Sequence, residues 1–371
     1  VHRREPVEVS LCHLPRVPAT RPCAVPSAPV FAGGGVCPGS GSTMTLVATD
    51  TVTVPNTVEK LLLAAPRGYC AGVDRAVQTV ERALDLHGPP VYVRKQIVHN
   101  KHVVELLAAR GAVFVEDVSE VPKGALTVFS AHGVSPKVRS DAQARGLETI
   151  DATCPLVTKV HREAVHFAGD GYTIVLVGHA GHEEVQGTMG EAPEHIVLVE
   201  NEQDVDELVV EDPDRVAYIT QTTLSVDETT AIVKRLHERF PAIAGPRTDD
   251  ICYATTNRQM AVKQMAGGCD LMLVIGSRNS SNSVRLVEVA RDCGTEAYLI
   301  DHAGEVREEW LAGKRVVGVS SGASAPDDLV QDLLDFFRAR GVEDISEFHV
   351  VREDVRFMLP KPIREAVAAA S

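Results

Sequence analysis

Three stretches decide the architecture: RGYCAGVDRAV (67–77), DATCPLVTKV (151–160) and DDICYATTNRQ (249–259). In each, an extended segment ends at a cysteine and a helical pattern opens directly after it. Cys70, Cys154 and Cys252 stand 84 and 98 residues apart, about the length of one small α/β module. A module that short cannot bury both faces of its own sheet. Three of them packed around a common centre solve the problem, and the three cysteines then meet near that centre.

Outward from these stretches, short β-type runs alternate with helical patterns. The runs fall at 61–63, 91–93, 113–115, 127–129, 173–177, 196–199, 217–219, 271–275, 298–300 and 316–319. Between them, stretches such as Val73, Val77, Val80 and Leu84 keep one face apolar at helical spacing. Strands alternating with helices imply mostly parallel sheets covered on both faces, an α/β fold. The expected partition is a leader (1–57), modules at 58–154, 155–251 and 252–345, and a C-terminal tail (346–371). The leader is rich in Pro, Gly, Ser and Ala and contains no Lys. It reads as disordered or as translated upstream sequence with Met44 the true start; a plastid-type targeting segment is the alternative. An excess of Arg over Lys, 27 to 10, hints at a GC-rich bacterial genome.

Bulk properties narrow the function classes. A chain of 371 residues has room for two or three compact modules, and its 44% apolar and 24% charged composition is that of a soluble globular protein. The net charge of −14 argues against a general nucleic-acid binder, which needs a dense basic surface. It leaves room for a local basic pocket around a small anion. Apolar runs such as 271–275 are too short to cross a bilayer, so no membrane association is expected. Of the eight cysteines, Cys12, Cys23 and Cys37 lie in the leader, and Cys269 and Cys293 read as packing residues. Three far-apart cysteines make a poor disulfide framework, and no signal peptide is evident. A reducing compartment, the cytoplasm of a bacterium, is expected.

A cysteine at a helix entry lies near unpaired N–H groups and the positive end of the dipole, which favour thiolate, the metal-binding form. Three thiolates support zinc or an iron–sulfur cluster. Structural zinc prefers four ligands in paired CxxC or CxH knuckles, and none occurs here. A 4Fe–4S cube on three cysteines leaves one iron open as a Lewis acid for a substrate oxygen. On spacing alone a cluster, a zinc ion and three unrelated buried cysteines all stay open.

The loops after the strands add a second chemistry. SAHGVS carries His132, VGHAGHEEVQGT carries His179, His182 and Glu184, IGSRNSSNS carries Ser280, Ser281 and Asn282, and GVSSGASAP carries Ser321 and Ser324. In parallel α/β sheets ligands bind beyond the carboxyl ends of the strands, where small donors and backbone N–H groups cradle phosphate. No GxxxxGK[ST] is present and no GxGxxG follows a strand, so a nucleotide is not favoured. A lone strand-end His is more often a packing residue, and Ser/Asn clusters are more often turns. Four strand ends with the same chemistry together point to a small-anion site beside a metal centre. Glu184, in a Gly-flanked loop, is placed to be partly desolvated and to deliver a proton. Thr222 is a candidate to orient it, with Ser225 and Asp227 competing for the local helix-cap role.

Taken in order, RGYCAGVDRA, IVHNKHVV, FSAHGV, DATCPLVTKVH, GHAGHEEVQGTMG, TQTTLSVDET, DDICYATTNRQ, GSRNSSNS and GASAPD resemble the 4-hydroxy-3-methylbut-2-enyl diphosphate reductase family, over residues 61–360. That family performs the last step of the methylerythritol phosphate route to isoprenoids. The resemblance implies three α/β modules around a pseudo-threefold axis and one central 4Fe–4S cluster on Cys70, Cys154 and Cys252. It implies diphosphate binding by His99, His132, His182, Ser280, Ser281, Asn282 and Ser324, with Glu184 delivering a proton and Thr222 as its hydroxyl partner. The implied reaction binds the substrate hydroxyl at the open iron, takes two electrons from a ferredoxin or flavodoxin, and gives isopentenyl or dimethylallyl diphosphate. Substituting Asn282 is then expected to weaken diphosphate binding and spare the cluster. Glu183 is a local variation where many members have proline, placed to alter the acidity of Glu184. Two rivals from other classes are a zinc hydrolase of a phosphorylated metabolite and a redox- or iron-sensing module.

Overall fold

Strands this apolar need cover on both faces, and the chain supplies it by returning through a helix after nearly every strand. The structure, a computed structural model, describes residues 57–370. The expected leader therefore lies outside the described residues, its last position excepted.

The chain enters through β1 (Lys60–Ala65) and α1 (Ala71–His87). It continues through β2 (Val91–Arg94), α2 (Lys101–Ala109), β3 (Ala112–Val115), β4 (Leu126–Phe129), α3 (Pro136–Ala144) and β5 (Glu148–Asp151). Then come α4 (Pro155–Gly169), β6 (Thr173–Val177), α5 (Glu183–Met189), β7 (Ile196–Val199), α6 (Glu202–Glu207), β8 (Val216–Thr220) and α7 (Val226–Arg239). The last third holds α8 (Tyr253–Ala266), β9 (Leu271–Ile275), α9 (Ser281–Asp292), β10 (Ala297–Ile300) and α10 (Glu308–Leu311). It ends with β11 (Val316–Ser321), α11 (Asp327–Arg338), β12 (Asp344–His349) and α12 (Lys361–Ala370).

These strands form three all-parallel sheets, ordered β3-β2-β4-β5, β7-β6-β8 and β10-β9-β11-β1-β12. All five residues of β9 are buried, as a strand covered on both faces requires. Among the described residues no helix is long and apolar enough to cross a membrane.

The module boundaries expected from the sequence need correction. β1 does not join β2; it lies between β11 and β12 in the third sheet, although it comes first in the chain. Residues 346–371 are not a tail either, because β12 pairs with β1 along its length and Ile363 of α12 is fully buried in the core under α1. A large apolar side chain buried this way contributes about 1.5–3 kcal/mol. Two strands, β5 (ETID) and β12 (DISEFH), escaped the sequence reading. Both are edge strands with mostly exposed or half-buried residues, so neither carries an apolar run.

The sheets meet at the three cysteines. Each cysteine ends the backbone that runs along one sheet and caps the helix that covers the next: α1 over the β2–β5 sheet, α4 over the β6–β8 sheet, α8 over the β9–β11 sheet. Each cysteine N–H donates to a carbonyl in the loop beyond the neighbouring strand. Cys70 reaches Ala323 at 3.2 Å, Cys154 reaches Ala131 at 3.0 Å and Cys252 reaches Thr222 at 3.0 Å. The approach to Cys252 runs beside β8, where Ala244 forms a parallel bridge with Ala217.

A cation one turn into each of these helices then grips the turn that leads to the next cysteine. Arg75 Nη1 donates to the carbonyls of Ala152 (2.9 Å) and Thr153 (3.0 Å), just before Cys154. Lys159 Nζ donates to Thr248 O (2.5 Å) and to Asp250 Oδ1 (2.8 Å), just before Cys252. Arg258 Nη2 donates to Gly68 O (2.7 Å), just before Cys70, and its Nη1 reaches Glu353 at 3.0 Å. The cycle closes on itself.

Arg258 is fully buried. Arg258→Ala leaves Glu353 and the Gly68 carbonyl without their partner and is expected to cost about 3–5 kcal/mol, the usual loss when one member of a buried pair is removed. The shift of the urea midpoint of the metal-free protein measures it. Arg258→Lys is expected to recover only part, because one ammonium cannot reproduce the planar fork.

Candidate active site

The strand ends and the three cysteine joints enclose one cavity of about 740 Å³, its open mouth included. Cys70, Cys154 and Cys252 line it together with His99, His132, His182, Glu184, Thr222, Ser280, Ser281, Asn282 and Ser324. Two strand-end candidates from the sequence do not line it. Ser321 Oγ accepts from Gly68 N at 2.8 Å, and His179 Nε2 pairs with Arg285 Nη2 at 2.6 Å, so both support loops.

On the cysteine side, Cys70 Sγ accepts from Val73 N at 3.5 Å and Cys252 Sγ from Thr255 N at 3.3 Å. Cys154 makes no such capping bond, and Pro155 opens its helix. At Cys154 and Cys252 the protein groups alone do not favour the thiolate expected at a helix start. Burial pushes the Cys154 thiol up to about 12 and the Cys252 thiol up to about 11, with the Cys70 sulfur adding to both. A helix terminus is worth about 0.3–1 kcal/mol, less than one pKa unit, and desolvation outweighs it. A metal cation held by these sulfurs would reverse that balance. The backbone is bare where the sulfurs converge: a Cβ on Gly72 would stand 2.6 Å from Cys154 Sγ and 3.8 Å from Cys70 Sγ.

On the opposite wall the His99 and His132 rings stack with centroids 3.9 Å apart and planes at 19°. His182 meets them edge-on at 5.4 and 6.0 Å. Desolvation first, then mutual repulsion or the nearby Lys95, pushes His99 and His182 down to about 3 and His132 to about 4, so all three are neutral near pH 7. His99, His132 and Glu183 bring donor atoms within 4.8 Å of one another, close enough for a metal ion. The stacking argues against that use. Nearly parallel rings aim their in-plane nitrogens side by side, which suits two N–H donors on one anion and not two lone pairs converging on one ion.

The α9 start completes this wall. Ser280 caps the helix, Ser281 Oγ donates to Thr223 O at 3.2 Å, and Ser324 Oγ donates to His99 O at 2.9 Å. Helix-start N–H groups there favour an anion. Asn282 is committed on both sides: Oδ1 accepts from Ala323 N at 2.8 Å and Nδ2 donates to Thr255 Oγ1 at 3.3 Å. Thr255 Oγ1 in turn lies 3.1 Å from Cys252 Sγ. Asn282 thus lines the cavity, as the diphosphate-binding expectation requires, and is also two contacts from a cysteine.

Glu184 is buried between the two walls. Its Oε1 accepts from Thr222 N at 2.6 Å and its Oε2 from Thr222 Oγ1 at 3.0 Å. Burial pushes its carboxyl up to about 7 against the pull of both Thr222 bonds. Thr222 is free for this task because Ser225, accepting from Glu228 N at 3.3 Å, caps α7.

Several cavity residues escaped the sequence reading: Gly72, Tyr253, Thr255 and Phe357. The first three sit inside the stretches quoted at the outset, one to three residues from a cysteine. Phe357 lies in 350–360, a stretch with many charged residues; its one signal is an aromatic among them.

The profile of the LytB protein family matches residues 61–338. A 4-hydroxy-3-methylbut-2-enyl diphosphate reductase of Nocardia farcinica is 59% identical over 310 residues, 83% of this chain and 92% of its own length. One from Mycobacterium sp. (strain KMS) is 58% identical over 86% of this chain and 96% of its own. The chain belongs to the LytB family. The solved E-1-hydroxy-2-methyl-but-2-enyl-4-diphosphate reductase of Plasmodium falciparum superposes with a TM-score of 0.81 at 38% identity, covering 84% of this chain and 99% of that one. The family profile ends at 338, short of Glu353 and Phe357, so their part in this LytB chain is read from its structure.

Asn282→Ala strands the Ala323 N–H and the Thr255 hydroxyl in a buried wall. The expected cost is about 1–3 kcal/mol, the usual penalty for a buried polar group left unpaired, read as a lower urea midpoint of the metal-free protein.

Proposed function

We propose that the chain catalyses reductive dehydration of 4-hydroxy-3-methylbut-2-enyl diphosphate. The allylic alcohol takes up two electrons and two protons; its C–O bond breaks, water leaves, and a hydrogen is added at either end of the allyl unit. Isopentenyl or dimethylallyl diphosphate results. The observation that carries this reading is the apposition, in one cavity, of three cysteines, a histidine–serine anion wall and a buried acid between them.

The donor set fits a 4Fe–4S cluster. Cys70, Cys154 and Cys252 are the ligands assigned to it. Their sulfurs are not among the donor groups that lie within 4.8 Å of one another, whereas three thiolates on one zinc, at about 2.3 Å each, stand under about 4 Å apart. Such a cluster supplies single electrons and one iron free of protein ligands. An external one-electron carrier of the ferredoxin or flavodoxin kind is the assigned source of both electrons, and a bacterial cytoplasm the assigned setting.

The chain's own residues divide the remaining work. His99, His132, His182, Ser280, Ser281 and Ser324 hold the diphosphate, with Asn282 ordering the wall. Binding energy taken from that remote group fixes the reacting carbon. Glu184 gives its proton to the departing hydroxyl and Thr222 holds the carboxyl in place. Phe357 adds an apolar face to the cavity lining.

Anaerobic preparation is expected to yield a brown protein with about four irons and four sulfides per chain. A colourless protein with one zinc would overturn the reading. Gly72→Ala pushes a methyl into the Cys154 sulfur and is expected to cut iron content several-fold with an unchanged far-ultraviolet spectrum.

The role of Glu184 has a pH signature. Its donor form is present below about 7 and lost above it, so turnover with a chemical reductant is expected to fall as pH rises through that value. Glu184→Gln is expected to lower turnover about 10²–10⁴-fold, the usual contribution of a general acid, and to remove that limb. Unchanged turnover in a cluster-loaded variant would refute proton delivery by Glu184.

A further inference from the structure

Glu183, the residue beside the proposed acid, faces away from Thr222 and toward the anion wall. Its Oε2 lies 3.3 Å from His132 Nδ1, and its Oε1 lies 3.9 Å from Lys95 Nζ. The Oε2–Nδ1 approach lacks the alignment of a hydrogen bond, and neither atom has another partner although both are buried. Lys95 is itself held in an unusual way: at φ 55 it is the one non-glycine residue with positive φ among the described residues.

We propose that Glu183 is a positioning residue that holds His132 as a doubly protonated imidazolium against the substrate diphosphate, so that diphosphate binding draws a proton from solvent. This rests on the reading of the histidine–serine wall as a diphosphate site. A carboxylate oxygen facing a bare ring nitrogen sets two lone pairs against each other, so Nδ1 carries the hydrogen. A neutral imidazole has only one N–H. Nε2 then meets a phosphate oxygen as a lone pair, and the contact becomes attractive only when the ring takes a second proton. An imidazolium between a carboxylate and a diphosphate is stabilised from both sides.

The charged and titratable groups around His132 come from every neighbouring element. Lys95 stands at the end of β2, His99 in the loop that follows, and His182 and Glu183 at the start of α5. Behind Gly133, His161 packs against the turn and is paired with Glu191 at 2.8 Å. Lys95 opposes protonation of the ring, as does burial, which is why the proton arrives with the anion and not before it. Glu183 stands within ion-pair reach of both Lys95 and the ring, 3.3 Å from Nδ1.

The test is calorimetric titration of the cluster-loaded protein with inorganic pyrophosphate, at a pH above the ordinary histidine range, in buffers of different ionisation enthalpy. The slope gives protons taken up per pyrophosphate bound. Glu183→Gln can donate its amide N–H to Nδ1 and so permits a neutral ring with hydrogen on Nε2. Its uptake is expected to fall by about one proton relative to the unsubstituted protein, while Glu183→Asp, which keeps the carboxylate, restores it. Equal uptake in the unsubstituted protein and Glu183→Gln overturns the role of Glu183 and leaves the diphosphate site standing. Zero uptake by the unsubstituted protein overturns it without any variant. Failure of that protein to bind pyrophosphate overturns the site reading together with this inference.

Discussion

The structure depends on a cyclic grip. A cation one turn into each cysteine-capped helix holds the backbone just ahead of the next cysteine: Arg75 for Cys154, Lys159 for Cys252 and Arg258 for Cys70. Each acts across a joint between sheets, and each satisfies carbonyls that would otherwise point into a crowded interior. The third grip links the last third of the chain back to the first of the three helices, since Arg258 on α8 holds Gly68 ahead of α1. Three short sheets, none able to cover itself, become a closed ring around one cavity.

The same joints couple the two walls of that cavity. The N–H groups of Cys70, Cys154 and Cys252 are each bonded to the loop at the neighbouring strand end, and those loops carry His132, Thr222 and Ser324 within one residue of the accepting carbonyl. Asn282 adds a side-chain path through Thr255 to Cys252. Any shift at one of these cysteines would reach the facing loop through a single hydrogen bond. Tertiary packing that simply brought the two walls together would not tie them residue by residue.

Much of this was legible in the sequence, for local reasons. An apolar run bounded by polar loops and helical periods marks a parallel strand, and all ten runs read from the sequence are strands. The cysteine stretches also announced helix starts correctly, because a cap and its helix are local. What was illegible depends on partners distant in the chain. Nothing in KLLLAA says that β1 pairs with strands more than 250 residues later, and ETID and DISEFH are strands only because a neighbour presents its edge. The cysteine protonation state failed for a related reason. The helix start is visible in sequence, but the depth of burial that overrides it is not.

Burial is the largest single cause of the electrostatic character of the cavity. Removing water disfavours charge, so thiols and the carboxyl move up and the histidines move down, each toward its neutral form. Apart from Glu183 and Lys95 beside His132, the cavity therefore holds its titratable groups near neutrality, a low-dielectric space in which a charged ligand would meet little competing charge. Glu184 is the exception that such a cavity needs. Desolvation by itself would hold its proton too tightly to release near neutrality, and the two Thr222 donors pull it back to about 7. A backbone N–H and a hydroxyl, both fixed by the loop that also accepts from Cys252, thus hold the Glu184 carboxyl near the value at which a group can exchange a proton close to neutral pH.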